Sequence, residues 1–214
     1  MPDLPTRIRR ASLAAYETAG LDAVSARKIA RRVRVSPMAM YRHFRDKDDL
    51  LDALVEEGFE VLVGYLRKAD AGSPGLDRLR RRATCALAFA LERPRLFELM
   101  FLLPRRSARR YPGDFAAGRS PSGNLFLVDV TEAIAAGQLQ PHPPLETMLA
   151  IWALMHGLIG LYLAGRIDIS RDRFRQLYRR SLDRLLLGLA AAGAGDPGVG
   201  ARPSTGRESP RSKA

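Results

Sequence analysis

Residues 25–47, SARKIARRVRVSPMAMYRHFRDK, constrain this chain more than any other stretch. The run reads as two short helices separated by a tight turn. Ser25 stands where an N-cap is needed for the first, from Ala26 to about Val33, because its side-chain oxygen can accept from a free first-turn N–H. Ile29, Ala30 and Val33 give that helix an apolar face, and Arg27, Lys28, Arg31 and Arg32 fill the rest. Ser36 caps the second helix, and Pro37 takes its first position, where a missing N–H costs nothing. Met40 and Phe44 are four apart and face inward with Val35. Met38, Ala39, Arg42 and His43 then point outward, with Tyr41 at the edge. A helix of about eight residues needs a neighbour to be stable. Held by one, and carrying cationic, aromatic and methyl groups on its outer face, it suits a DNA major groove.

Arg27 and Lys28 sit in a first helical turn, where the macrodipole disfavours cations. A bound phosphate would compensate, since free N–H groups and both side chains favour an anion there. The competing interpretation is a basic, solvated helix over a small core.

The longer run LDAVSARKIARRVRVSPMAMYRHFRDKDDLLDAL resembles the DNA-binding region of tetracycline-repressor-type (TetR-type) transcriptional regulators. The likeness reaches back to Ile8 through Ala11, Tyr16 and Gly20, and on to Leu54; Tyr41, His43, Phe44 and Lys47 form its most specific part. It implies an all-α fold in which an N-terminal three-helix helix-turn-helix domain is joined by a long helix to a C-terminal ligand-binding and dimerisation domain, about nine helices in all. Ser25, Arg27, Ser36, Pro37, Met38, Ala39, Tyr41, Arg42, His43 and Lys47 are the candidate DNA contacts. The turn departs from the pattern, because Arg34 stands where glycine is usual. A slightly different turn or some strain is expected, with the motif retained.

At 214 residues the chain can bury a sizeable core in one or two domains. Lys+Arg is 35 against Asp+Glu 23, a net charge of +12, which favours a polyanionic partner. Only Lys28, Lys47, Lys68 and Lys213 are lysines, so arginine-rich coding also contributes to the excess. The sole cysteine, Cys85, sits in an apolar helical pattern and reads as a buried thiol. It allows no intrachain disulfide and fits a reducing cytoplasm. The first residues, MPDLPTRIRR, hold no apolar run of signal-peptide length.

In order, a first helix is predicted over about residues 5–19, ended by Gly20. After residues 25–44, Asp46 caps a long helix, and the breaker cluster from Asp70 to Gly75 ends it. The next helix spans about 76–92, with Arg78 and Arg80 to Arg82 expected in solvent. Pro94 opens another, closed by Pro104. Residues 105–123 read as a long mobile loop. A helix over about 124–136 stops at Gly137, and LQPHPP is an extended link. The domains are placed at 1–50, 51–192 and a disordered tail at 193–214. Within that tail GAGDPG matches G-x-G-x-x-G by chance, since it follows a helix and precedes none.

The predicted helix over about 145–164 is the second informative stretch. From Ala150 to Ala164 only His156 is clearly polar. Those fifteen residues fall short of the roughly 20 needed to span a bilayer. A helix apolar all round is buried on all sides, here between a core and a second subunit. Ala153, Gly157, Gly160 and Ala164 form a small-residue groove on it. A last helix from Ser170 carries Leu182, Leu185, Leu186 and Leu189. The two helices together predict a homodimeric four-helix interface. Either face of the small-residue groove, inward or outward, is open at this point. Trp152-Ala-Leu-Met-His156-Gly157 also resembles the W-x-x-x-H-G signature of one class of TetR-type C-terminal domains. Phe89, Phe97, Met100, Phe101, Trp152, Met155 and His156 are the candidate ligand-pocket residues. For His156 a satisfied core histidine and a polar ligand contact are both open.

The three histidines have no metal-ligand spacing, and there is neither a G-x-S-x-G elbow nor a phosphate loop. The expected function is that of a non-enzymatic, ligand-responsive repressor. It would bind a pseudo-palindromic double-stranded DNA operator as a homodimer, in the cytoplasm, with a largely apolar small-molecule effector and neither cofactor nor membrane. A non-specific nucleic-acid-binding or nucleoid-associated protein is the alternative, separable by the specificity ratio for one site over random DNA.

Overall fold

The computed structural model describes residues 3–191 and places them in α-helices and turns, with one isolated bridge between Leu139 and Ala190. The tail predicted at 193–214 lies outside the described residues. The helices are α1 (Leu4–Ala19), α2 (Ala26–Val33), α3 (Pro37–Tyr41), α4 (Lys47–Arg67), α5 (Leu76–Glu92), α6 (Pro94–Phe101), α7 (Gly113–Ala116), α8 (Pro121–Ala135), α9 (Pro144–Leu163) and α10 (Arg171–Gly188). A short 3-10 turn, Leu21–Ala23, joins α1 to α2.

Capping residues set most of these starts. Asp3, Ser25, Ser36, Asp46, Ser120 and Ser170 each accept from a first-turn N–H with a side-chain oxygen. α1, α2 and α3 close over Ile8, Tyr16, Val24, Ile29 and Met40. Leu50 and Leu54 of α4 complete that core, so the long helix is rooted in the N-terminal head. Beyond it α4 packs on α5, α6 and α8.

Three expectations are corrected. The loop over 105–123 is structured: it holds α7, with Phe115 buried, and α8 begins at Pro121 behind the Ser120 cap. The arginine run on α5 is not uniformly solvated. Arg82 is 2% exposed and Asp129 of α8 is 0% exposed, and Arg82 Nε donates to Asp129 at 2.5 Å. Burial alone would lower the Arg82 pKa, but its bonds to Asp129 and Asp70 outweigh that and raise it. Arg78 donates to both Asp129 and Glu132, so a charged clamp joins α5 to α8. Third, the apolar penultimate helix has its predicted extent but is not too short to span a bilayer. α9 has 20 residues and is long and apolar enough, by length and composition, to cross a membrane. Here Met148, Ile151, Met155 and Ile159 bury one side of it within the helical bundle, against α8, α5 and α10.

Candidate functional site

The N-terminal head presents a compact helix-turn-helix. Arg34 ends α2 in the left-handed conformation, φ 58° and ψ 52°. Its N–H and that of Val35 donate back to carbonyls of α2, at 3.3 Å to Arg31 and 3.0 Å to Ala30. An arginine thus makes the turn that glycine makes more cheaply, at the expense of backbone strain. α3 is shorter than expected: it ends at Tyr41, and Arg42 to Phe44 form a turn held by N–H bonds from His43 and Phe44 to the Met40 carbonyl. Met40 and Phe44 are buried as predicted. Met38 is 69% and Tyr41 51% exposed, and Arg42 and His43 are exposed beside them. Ala39 is half-buried. Ser25 and Ser36 spend their hydroxyl oxygens on capping Lys28 and Ala39.

Of the two cations at the start of α2, Lys28 has a partner within the protein, and so does Lys47 at the start of α4. Lys28 Nζ donates to the Asp22 carbonyl at 2.9 Å, and Lys47 Nζ to the Leu21 carbonyl at 3.0 Å. Both lysines brace the 3-10 turn, while their side chains stay on the exposed surface with Arg27, Arg31 and Arg42. Arg7 was missed: its guanidinium donates to the Val33 carbonyl at 2.7 Å and closes the end of α2.

The second feature is a small cavity in the C-terminal helices, about 20 Å³ in volume. Phe89, Phe97, Phe101, Trp152, Met155 and His156 line it. That volume has room for roughly one water molecule. Phe115, Phe126, Ser120 and Ser122 also line it and were missed, because they fall in or beside the segment read as a loop. Met100 lies instead on an adjoining cavity of about 130 Å³ that reaches Arg105 and Arg109. Phe101, Phe115 and Trp152 form walls of both. His156 stands at the centre, with its ring centroid 4.5 Å from Trp152, 4.6 Å from Phe101 and 5.4 Å from Phe97. Desolvation lowers its pKa from 6.5 to about 4, so it is neutral near pH 7.

The third feature is an uncovered face. Ala153, Gly157 and Ala164 are exposed on α9, and a Cβ placed at Gly157 would meet nothing within 4 Å. Gly160 is half-buried, and a Cβ placed there would lie 3.8 Å from Leu102 Cδ2. The small-residue groove therefore faces out of the protomer. Leu182 and Leu186 do not: they are 3% and 1% exposed inside the protomer, which corrects their assignment to an intersubunit face. Leu185 and Leu189 are half-buried, and Leu187, missed from sequence, is 72% exposed.

Residues 8–54 match the model for bacterial regulatory proteins of the tetR family. Residues 79–185, half the chain, match the tetracyclin repressor-like C-terminal domain. The chain belongs to the TetR family. Its solved relatives have the same fold. A protein of unknown function from Rhodococcus sp. RHA1 is 31% identical, with a TM-score of 0.73 over 89% of this chain and 97% of that one. A TetR family transcription regulator from Marinobacter aquaeolei VT8 is 22% identical, with a TM-score of 0.63 over 88% of this chain and 96% of that one. A TetR variant from Acinetobacter baumannii AYE, solved in complex with minocycline, is 20% identical, with a TM-score of 0.60 over 88% of this chain and 96% of that one. This TetR-family chain is a DNA-binding transcriptional regulator and not an enzyme.

Proposed function

We propose that this regulator represses transcription as a cytoplasmic homodimer on a pseudo-palindromic operator, and that a small molecule in the α5–α6–α8–α9 cavity releases it. In this reading residues 1–50 read DNA and residues 51–192 bind effector and partner. Met38, Ala39, Tyr41 and Arg42 meet base edges and backbone in the major groove, and Arg27, His43 and Lys47 lie along phosphates. Uncovered α9 and exposed Leu187 of α10 pair with their copies about a twofold axis.

One observation carries the ligand response: α6 touches everything that must be coupled. Phe97 and Phe101 line the cavity. Arg93, the residue just before α6, pairs with Glu17 of α1 at 2.7 Å, and Arg95 of α6 donates to the carbonyls of Glu17 and Thr18. Met100 packs on Gly58 of α4 so closely that a Cβ there would lie 2.6 Å from its sulfur. A ligand that pushes α6 outward moves both helices that root the head. Binding to one head separation in preference to the other then shifts the equilibrium away from DNA.

Selection from a random duplex library tests this reading. It should return one inverted repeat, with half-sites about a helical turn apart. Recovery of no motif would instead support the non-specific nucleic-acid binder.

A further inference from the structure

His156 lines the cavity and carries a ring nitrogen that no described residue uses. Its Nδ1 lies 2.9 Å from the carbonyl oxygen of Trp152, one turn earlier on α9. A carbonyl only accepts, so Nδ1 carries the proton and Nε2 of the neutral ring is a bare lone pair. The residue as a whole keeps some exposure, but Nε2 itself is sealed from solvent and has no partner. An unmet interior acceptor costs about 1–3 kcal/mol. Water is a poor remedy, since a buried water needs about two to four polar partners. The rings of Phe97, Phe101 and Trp152 crowd the imidazole instead. Among the described residues no cationic side chain lines this cavity, and its other polar groups are the hydroxyls of Ser120 and Ser122.

Resting on the reading of this cavity as the effector site, we propose that His156 Nε2 selects the effector, and that the effector class is compact, largely aromatic molecules carrying one O–H or N–H donor. Phenols, aromatic alcohols and N–H heterocycles fit; ethers and hydrocarbons of the same shape do not. The rings lie against Phe97 and Phe101, and the donor completes His156. A ligand larger than a water must displace part of the lining, and Phe101, Phe115 and Trp152 are the rings shared with the neighbouring cavity. Where Phe101 gives way, entry and movement of α6 are one event, because Phe101 is the last residue of α6.

p-Cresol and anisole test this directly. They are isomers, and only p-cresol donates. Trp152 is the only tryptophan and lines the cavity, so its red-edge-excited fluorescence reports binding. The wild-type chain should bind p-cresol at least about tenfold more tightly than anisole. In His156→Phe, which keeps a ring and removes the acceptor, the preference should fall to about twofold or less. Equal affinities in the wild type would overturn the proposal, and so would a preference that survives in His156→Phe. A lack of any saturable fluorescence change with either isomer would overturn it too. The wild-type comparison stands alone if the variant does not fold. Operator release, followed on the same samples with a labelled duplex, judges the effector reading separately. Selective p-cresol binding without release would keep the His156 contact and remove the repressor mechanism.

Discussion

Arg95 on the first turn of α6 donates to the carbonyl of Glu17 at 2.6 Å and so caps the end of α1 from the other domain. The free carbonyls at a helix end attract a cation, and here the cation belongs to the helix that walls the cavity. Arg95→Ala should leave the head folded but loosely held. The expected result is a loss of operator affinity of about 1 kcal/mol, with thermal stability changed by less. Fluorescence anisotropy with a labelled operator, beside thermal unfolding, measures both. An equal loss of stability and affinity would mean that Arg95 supports folding alone.

Gly58 of α4 and Met100 make a second contact between α6 and the helices that root the head. A Cβ at Gly58 would lie 2.6 Å from Met100 Sδ and 3.0 Å from Leu96 Cδ1. Alanine there gains helix propensity but collides with a packed side chain, and overpacking wins by about 1–2 kcal/mol. Removing the obstacle should recover part of the loss, so Gly58→Ala with Met100→Ala should cost less than the two changes summed. Urea unfolding of all four proteins gives the coupling; strict additivity would remove α6–α4 packing as the route between cavity and head.

Arg34 holds φ 58° without being glycine. Replacing it by glycine relieves strain of about 1–2 kcal/mol and raises the entropy of the unfolded chain by somewhat less. Arg34→Gly is therefore expected to stabilise the protein by about 0.5 kcal/mol. A fall in the urea midpoint would show that the arginine side chain contributes more than its backbone conformation costs.

Burial of neutral His156 makes stability depend on pH. The unfolded imidazole takes up a proton near 6.5, the folded one only near 4. Between those values the unfolded state binds more protons, so stability falls as pH drops from about 6.5 toward about 4 and is level above. The contribution over that window is on the order of 3 kcal/mol. His156→Phe should lose about 2 kcal/mol less than wild type between about pH 7.5 and pH 4.5, because carboxylate effects are common to both proteins. Parallel stability profiles would falsify the buried, neutral assignment.

Much of this architecture was legible where a local device announced it. Ser25, Ser36 with Pro37, and Asp46 are caps placed before apolar periodicity, and α2 and α5 have the expected bounds. The cavity residues on α5, α6 and α9 were legible as aromatic and methionine positions on apolar helices. What failed depends on long-range pairing. Arg82 sits in a run of three arginines that reads as one solvated face, yet its partner Asp129 is 47 positions away. Phe115 lies among Gly, Pro and Arg, so no period marks it, and its burial comes from packing on Trp152 at 5.4 Å. Leu182 and Leu186 read as surplus apolar surface because sequence cannot say which side of α10 the core takes.

Pairing of two copies through the outward face of α9 is the claim on which operator symmetry rests, and sedimentation velocity tests it most directly. At micromolar concentration the wild type should sediment as a dimer and occupy the selected inverted repeat with protomers in pairs. Gly157→Arg places a charged side chain where a Cβ meets no atom of the protomer. That variant should keep the protomer fold, shift to monomer and lose operator affinity through lost bivalency. A wild-type protein that sediments as a monomer, or that fills the inverted repeat with a single protomer, would contradict the account.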